Sequence, residues 1–394
     1  AIEASSAGIH WTFAPMVDIG RDPRWGRVME GAGEDTYLGS RIAHARVKGF
    51  QGNGLGNIDA IMACAKHFAA YGAAVGGRDY NSVDMSERQL WETYLPPFKA
   101  AVDAGVATFM NSFNDINGIP ATGNQYLQRD ILKGRWNYQG FVVSDWGSIR
   151  EMIAHGYSKD LSEAAQQAVS AGNDMDMESS AYRDNLAQLV KDKKVPMSVV
   201  DEAVRRILRK KFELGLFDDP YKFSDPEREQ KELNNPKHRE FAREIAKKSI
   251  VLLKNEKQTL PISRNVKNIA MIGPMAKVTK DNHGFWSVTI PELDYNKFVV
   301  TQFDGVKNHL GKDTNLLYAK GCDIECKSNE GFAEAVETAK EADVVILTVG
   351  EAWNQSGEAK SRSNIHLPGM QEELIKAVKA TARSPSEFAL SGAK

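Results

Sequence analysis

Between residues 11 and 177 short apolar runs, each followed by a polar segment rich in Gly, Asp, Asn and Arg, alternate with longer amphipathic stretches. The apolar runs are 11–17, 60–65, 106–110, 140–144 and 174–177. They are continuous rather than alternating, which is the pattern of strands buried on both faces of a parallel sheet or barrel. Ser86-Glu-Arg-Gln89 is a capping box for a helix running towards Gly105, and Ser198-Val-Val-Asp201 opens another that ends near Gly215. In a (β/α) barrel the polar segments at the C-terminal strand ends build the active site.

At 394 residues the chain exceeds one ordinary core, and two domains are expected. The stretch 218–237 is polar, charged and punctuated by Pro, as a linker is. Beyond it, 238–255 reads as a helix, 268–273 as a buried strand, 333–340 as a helix and 343–350 as a buried strand. This αβαβ order predicts a second layered parallel sheet. The stretch after the helix at 372–379 lacks the apolar strand expected next, and the chain opens on Ala1 without an initiator Met. Both ends therefore read as cut.

Lys and Arg number 50 against 52 Asp and Glu, so charge provides no reason to expect nucleic acid as a partner. No apolar run approaches the roughly 20 residues that span a bilayer, so membrane insertion is not expected. Cys64, Cys322 and Cys326 form no C-x-x-C pair or Cys/His cluster, which argues against a structural zinc. Cys322 and Cys326 are compatible with a small loop disulfide or with two free thiols. Phosphate-loop, H-E-x-x-H and G-x-S-x-G patterns are absent.

Asp145, in Gly140-Phe-Val-Val-Ser-Asp-Trp-Gly147, ends a strand and precedes an indole that can stack on a sugar face. Such an aspartate is more often a helix cap, so context must decide. Lys66-His67 ends another strand, where both side chains can donate to adjacent hydroxyls. Arg21-Asp-Pro-Arg-Trp-Gly-Arg27 is nearly neutralised by acidic residues 22, 30, 34 and 35, which suggests a salt-bridge lattice with one Arg released to a ligand. The loop after 343–350 carries Glu351 and Glu358. Either could serve as a protonated carboxyl that assists a leaving group.

Taken in order, these segments resemble glycoside hydrolase family 3, specifically its bacterial β-glucosidases. The match runs through 13–18, 21–27, Lys66 to Gly72, 112–118, the Asp145 segment, 249–255 before Leu260-Pro261, and Ser356-Gly-Glu-Ala359. The resemblance implies a TIM-like (β/α) barrel over 1–217, a linker over 218–237 and a partial α/β sandwich over 238–394. It implies Asp145 as nucleophile and Glu358 as acid/base, with Glu351 held in reserve as a structural partner. Arg27, Lys66 and His67 would hold sugar hydroxyls, Met110 and Trp146 would line the rim, and Trp286 would cover the site. An Asp that grips the sugar in family members falls before this chain begins.

The implied activity is retaining exo-hydrolysis of terminal β-D-glucosyl residues through a glycosyl-enzyme intermediate, without metal or organic cofactor. The implied location is periplasmic or secreted, the substrate is a β-glucoside or oligosaccharide, and a homodimer is compatible. An N-acetylglucosaminidase of the family would need a second His shortly after Lys66-His-Phe, where Ala69-Ala-Tyr-Gly72 stands instead. A β-xylosidase or arabinofuranosidase, and a non-catalytic sugar-binding protein, are the alternatives.

Overall fold

The computed structural model describes every residue except 234, 288–296, 298, 382–387 and 394, and only the backbone at 257 and 388–393. The chain divides into two units, Ala1–Glu244 and Ile245–Lys394, both of α/β build.

In the first unit, strands Cys64–Phe68, Thr108–Asn111 and Phe141–Val143 lie side by side in chain order and parallel. Parallel bridges from Trp11 to Met62 and from Met16 to Lys66 extend the sheet on one side, and a bridge from Val143 to Met175 extends it on the other. All five apolar runs are thus parallel neighbours, although two contribute bridges rather than ladders. The first two ladders start later than the runs do. The Ile61 N–H goes to the Phe50 carbonyl, and the Met62 N–H to the His10 carbonyl as part of the bridge to Trp11. Ala65, Phe109 and Val142 are fully buried, as strands covered on both faces require.

Helix Thr36–Gln51 shows how sequence sets this sheet. Asp35 caps it by accepting from the Leu38 N–H at 2.6 Å. At its other end the buried Gln51 side chain spans two strand entries. Its Oε1 accepts from the Ala63 and Ala107 N–H groups at 3.3 and 2.8 Å, and its Nε2 donates to the Gly105 carbonyl at 2.8 Å. Ser86 does cap its helix, accepting from the Gln89 N–H at 3.2 Å. That helix widens to a π turn over Leu90–Tyr94 before resuming at Pro96–Asp103, where Pro96 and Pro97 lack the N–H that a regular ladder needs. Ser198 is not a cap, because helix Met197–Glu213 begins one residue earlier, behind Pro196.

The stretch 218–237 contains helix Pro226–Leu233, followed by helix Pro236–Ser249. The latter was expected to reach Asn255 but stops at Ser249, before the β-branched pair Ile250-Val251.

The second unit holds a four-stranded parallel sheet in the order Asn315–Ala319, Asn268–Ile272, Val344–Gly350, Phe388–Ala393. The last strand corrects the expectation that none follows the helix Gln371–Lys379. Its pairing to Val344–Gly350 uses backbone groups, which a long apolar run is not required to supply. Leu374 and Val378 from that helix pack on Ala270, Ile272 and Leu347. Cys322 and Cys326 form a disulfide, while burial pushes the free Cys64 thiol up to about 12. Among the described residues no helix is long and apolar enough to cross a membrane.

A buried ion pair ties the sheet edge to the neighbouring helix Tyr126–Arg135. Lys133 Nζ lies 2.6 Å from Asp174 Oδ1, and Asp174 Oδ2 accepts from the Val142 N–H at 2.8 Å. Burial pulls Lys133 down to about 8 and raises Asp174, each opposed by the attraction of the other. Removing one partner strands a buried charge, so Asp174→Ala should cost about 3–5 kcal/mol in urea denaturation. Adding Lys133→Met should recover much of that loss. A single mutant as stable as wild type would contradict this account.

Candidate active site

Parallel pairing places the C-terminal ends of neighbouring strands along one edge of the sheet. Lys66 and His67 occupy that end of Cys64–Phe68, Met110 that of Thr108–Asn111, and Asp145 follows Phe141–Val143 by two residues. Pairing shifts register between Ala65 and Phe68, an irregularity that turns the side chains between them out of the regular alternation. Gly72 permits the close approach behind this segment, since a Cβ there would lie 2.2 Å from the Ile19 carbonyl oxygen.

Asp145 is 8% exposed, and its Oδ1 accepts from the Trp146 N–H at 2.7 Å. Its Oδ2 lies 3.5 Å from Nε2 of the fully buried His67. The other face of that histidine is held by Asp18, whose Oδ2 accepts from the His67 backbone N–H at 2.9 Å and lies 2.8 Å from Nδ1. Tyr71 stands edge-on to the His67 ring, with centroids 5.1 Å apart. Arg27 is 1% exposed, sits 5.6 Å from the Tyr71 ring centre, and grips Glu30 through Nε and one terminal nitrogen at 2.7 and 3.1 Å.

Burial governs the electrostatics. It pushes the Asp18 carboxyl up to about 7, against the pull of the His67 N–H, Arg27 and Lys66, with Glu30 adding to the rise. Burial, then Arg27 and Lys66, hold His67 well below its usual range, so the imidazole is neutral. The result is a neutral imidazole between two carboxyl groups, with two cations nearby. Such a site can bind hydroxyl groups and present Asp145 as a nucleophile.

Of the predicted residues, Asp145 and His67 are brought together, and Arg27 and Lys66 share their electrostatic surroundings. Trp146 projects at 66% exposure, whereas Met110 is buried in an apolar cluster with Cys64, Phe141 and Val143. The expected lattice around Arg27 divides in two: Arg24 pairs with Asp22 at the surface, and Arg27 with Glu30 in the interior. Asp18, Glu30 and Tyr71 were not among the predicted site residues. Glu30 had a signal in its i+3 spacing from Arg27, while Asp18 lay in a quoted motif without an assigned role.

In the second unit, Glu358 is half-buried in the loop after Val344–Gly350. The loop is clasped by Gln371, which accepts from the Gly350 N–H at 2.9 Å and donates to the Gly350 carbonyl at 2.9 Å. Asp281 accepts from the Trp353 N–H at 2.9 Å. Gly357 has φ +107°, and a Cβ there would meet the Phe285 ring at 2.2 Å, so Phe285 lies directly on the loop. Trp286 follows it and is half exposed, its ring edge-on to Phe285 at 5.1 Å. Glu351 is ion-paired with Arg362.

Residues 1–210 match the glycosyl hydrolase family 3 N terminal domain, and 250–385 match the family 3 C-terminal domain. The chain is 41% identical to the periplasmic beta-glucosidase of Salmonella typhimurium, over 97% of this chain and 52% of that protein. It is 38% identical to a beta-xylosidase of Formosa agariphila, over 97% of this chain and 54% of the other. A beta-glucosidase from Listeria innocua, solved in complex with isofagomine, superposes with a TM-score of 0.91 at 37% identity, covering 99% of this chain and 53% of that one. The chain spans about half the length of the curated relatives it matches. On the two domain matches and these identities, the chain belongs to glycosyl hydrolase family 3.

Proposed function

We propose that this chain carries the catalytic residues of a retaining, exo-acting β-glucosidase, with Asp145 as nucleophile and Glu358 as acid/base. The observation that carries the reading is the approach of Asp145 to a buried, neutral His67 at the C-terminal edge of a parallel sheet, beside Arg27 and Lys66. Five parallel neighbours in chain order support a TIM-like barrel over 1–217. The second sheet supports a partial α/β sandwich over 238–394, joined through 218–237. The place of Glu358 in the Ser356-Gly-Glu-Ala359 loop after Val344–Gly350 supports it as the acid/base, with Glu351, ion-paired to Arg362, as a structural partner.

In the first step Asp145 attacks the anomeric carbon while Glu358 gives its proton to the departing oxygen. In the second, ionised Glu358 takes a proton from water, which displaces Asp145 from the sugar. Retention requires the two carboxyl groups to stand about 5–5.5 Å apart in the working site. Arg27, Lys66 and His67 bind glycone hydroxyls, with Trp146 and Trp286 as further contacts, while Met110, buried in its apolar cluster, backs the site instead of lining its rim. The name of the Salmonella relative favours a periplasmic or secreted location. A β-xylosidase is the second reading, favoured by the Formosa relative.

Aryl β-glucoside, β-xyloside and N-acetyl-β-glucosaminide assayed in parallel should give the highest kcat/KM on the glucoside; preference for the xyloside would establish the second reading. Asp145→Asn should lower kcat by roughly 10⁴-fold or more with unchanged thermal stability, and wild-type turnover would overturn the nucleophile assignment. Glu358→Ala should slow a substrate with a poor alkoxide leaving group by about 10²–10⁴-fold, yet slow glycosylation by a nitrophenyl glycoside far less. Equal losses on both would rule Glu358 out as the acid.

A further inference from the structure

Asp18 belongs to none of the roles assigned above, yet it is buried and makes two contacts to His67 through one oxygen. His67 in turn stands between two carboxyl groups, with Asp18 Oδ2 2.8 Å from Nδ1 and Asp145 Oδ2 3.5 Å from Nε2. A neutral imidazole carries one N–H and one lone pair. Only one of the two carboxyl groups can therefore receive the ring proton, and the other must face the lone pair. An ionised carboxylate facing that lone pair is repelled, whereas a protonated carboxyl facing it donates a hydrogen bond. If Asp145 is ionised, as a nucleophile must be, the ring N–H belongs at Nε2 and the O–H belongs on Asp18.

We infer that Asp18 is a positioning residue whose protonated carboxyl donates to His67 Nδ1 and so directs the ring's single N–H from Nε2 at Asp145. The inference rests on the reading of Asp145 as nucleophile. The groups facing this array are Arg27 and Lys66, which resist a further positive charge on the ring, together with Glu30 and Tyr71. Burial of Asp18, which raises its carboxyl to about 7, is consistent with a proton residing there at mildly acidic pH. The 3.5 Å contact is long for a hydrogen bond, as is common before substrate closes a site. The Trp146 N–H already orients Oδ1 of the nucleophile, and the His67 ring stands 3.5 Å from Oδ2, where its N–H can reach on closure.

The test is imidazole ¹⁵N NMR of the histidine-labelled protein, with His67 assigned by the loss of its signals in His67→Gln. At pH 6 the ring should be the Nε2–H tautomer, and by pH 9, as Asp18 ionises, it should move towards Nδ1–H. An Nδ1–H ring at pH 6, or a tautomer unchanged between the two pH values, would overturn the inference. The readout needs no turnover, so it is separable from failure of the glycosidase reading, which appears as inactivity on every glycoside. Asp18→Leu should hold the ring as Nε2–H at both pH 6 and pH 9, abolishing the shift, and should lower kcat/KM by about 10–100-fold, the range seen when the partner that orients a metal-bound histidine is removed. A folded Leu variant with wild-type kcat/KM would count equally against it, and should that variant not fold, the wild-type pH pair still decides.

Discussion

Parallel pairing of successive strands is the constraint on which the first unit depends. It forces each strand to finish at the same edge, so residues far apart in the chain, Lys66, His67, Met110 and Asp145, reach one region without any local sequence relationship. The register that aligns them is held from below by Gln51, whose amide spans two strand entries, and at the side by the Lys133–Asp174 pair. These are interior polar contacts, costly to leave unmet, and each is satisfied by a backbone group or an opposite charge.

The same economy shapes the site itself. Three acidic side chains, Asp18, Glu30 and Asp145, share a buried neighbourhood with Arg27 and Lys66. Glu30 is neutralised directly by Arg27, through Nε and one terminal nitrogen. The two carboxyl groups left bracket His67, a ring kept neutral by its burial and by the cations around it.

Much of this was legible in sequence. Continuous apolar runs announce a parallel sheet, whereas Asp145, Lys66 and His67 stand at strand ends but become site candidates only through the ordered family resemblance. Ser86 was readable as a cap because its partner lies three residues away. What escaped notice depends on long-range contact: Gln51 reaches across 54 and 56 positions to Gly105 and Ala107, and Asp18 across 49 to His67. No local periodicity records such pairs. The strand Phe388–Ala393 leaves no apolar signal for another reason, since its pairing is made by backbone groups common to every sequence. The helix ending at Ser249 was overextended because Ile250–Leu253 continue an apolar pattern that also suits extended chain.

The central claim is that Asp145 forms a covalent bond to the sugar. A 2-deoxy-2-fluoro β-glucoside with an activated leaving group slows breakdown of such an intermediate enough for it to accumulate. Mass spectrometry of the protein after that treatment should show one fluoroglucosyl group per chain, and peptide mapping should locate it on Asp145. A label on another carboxylate, or no label with a first-formed product of inverted configuration, would contradict the account.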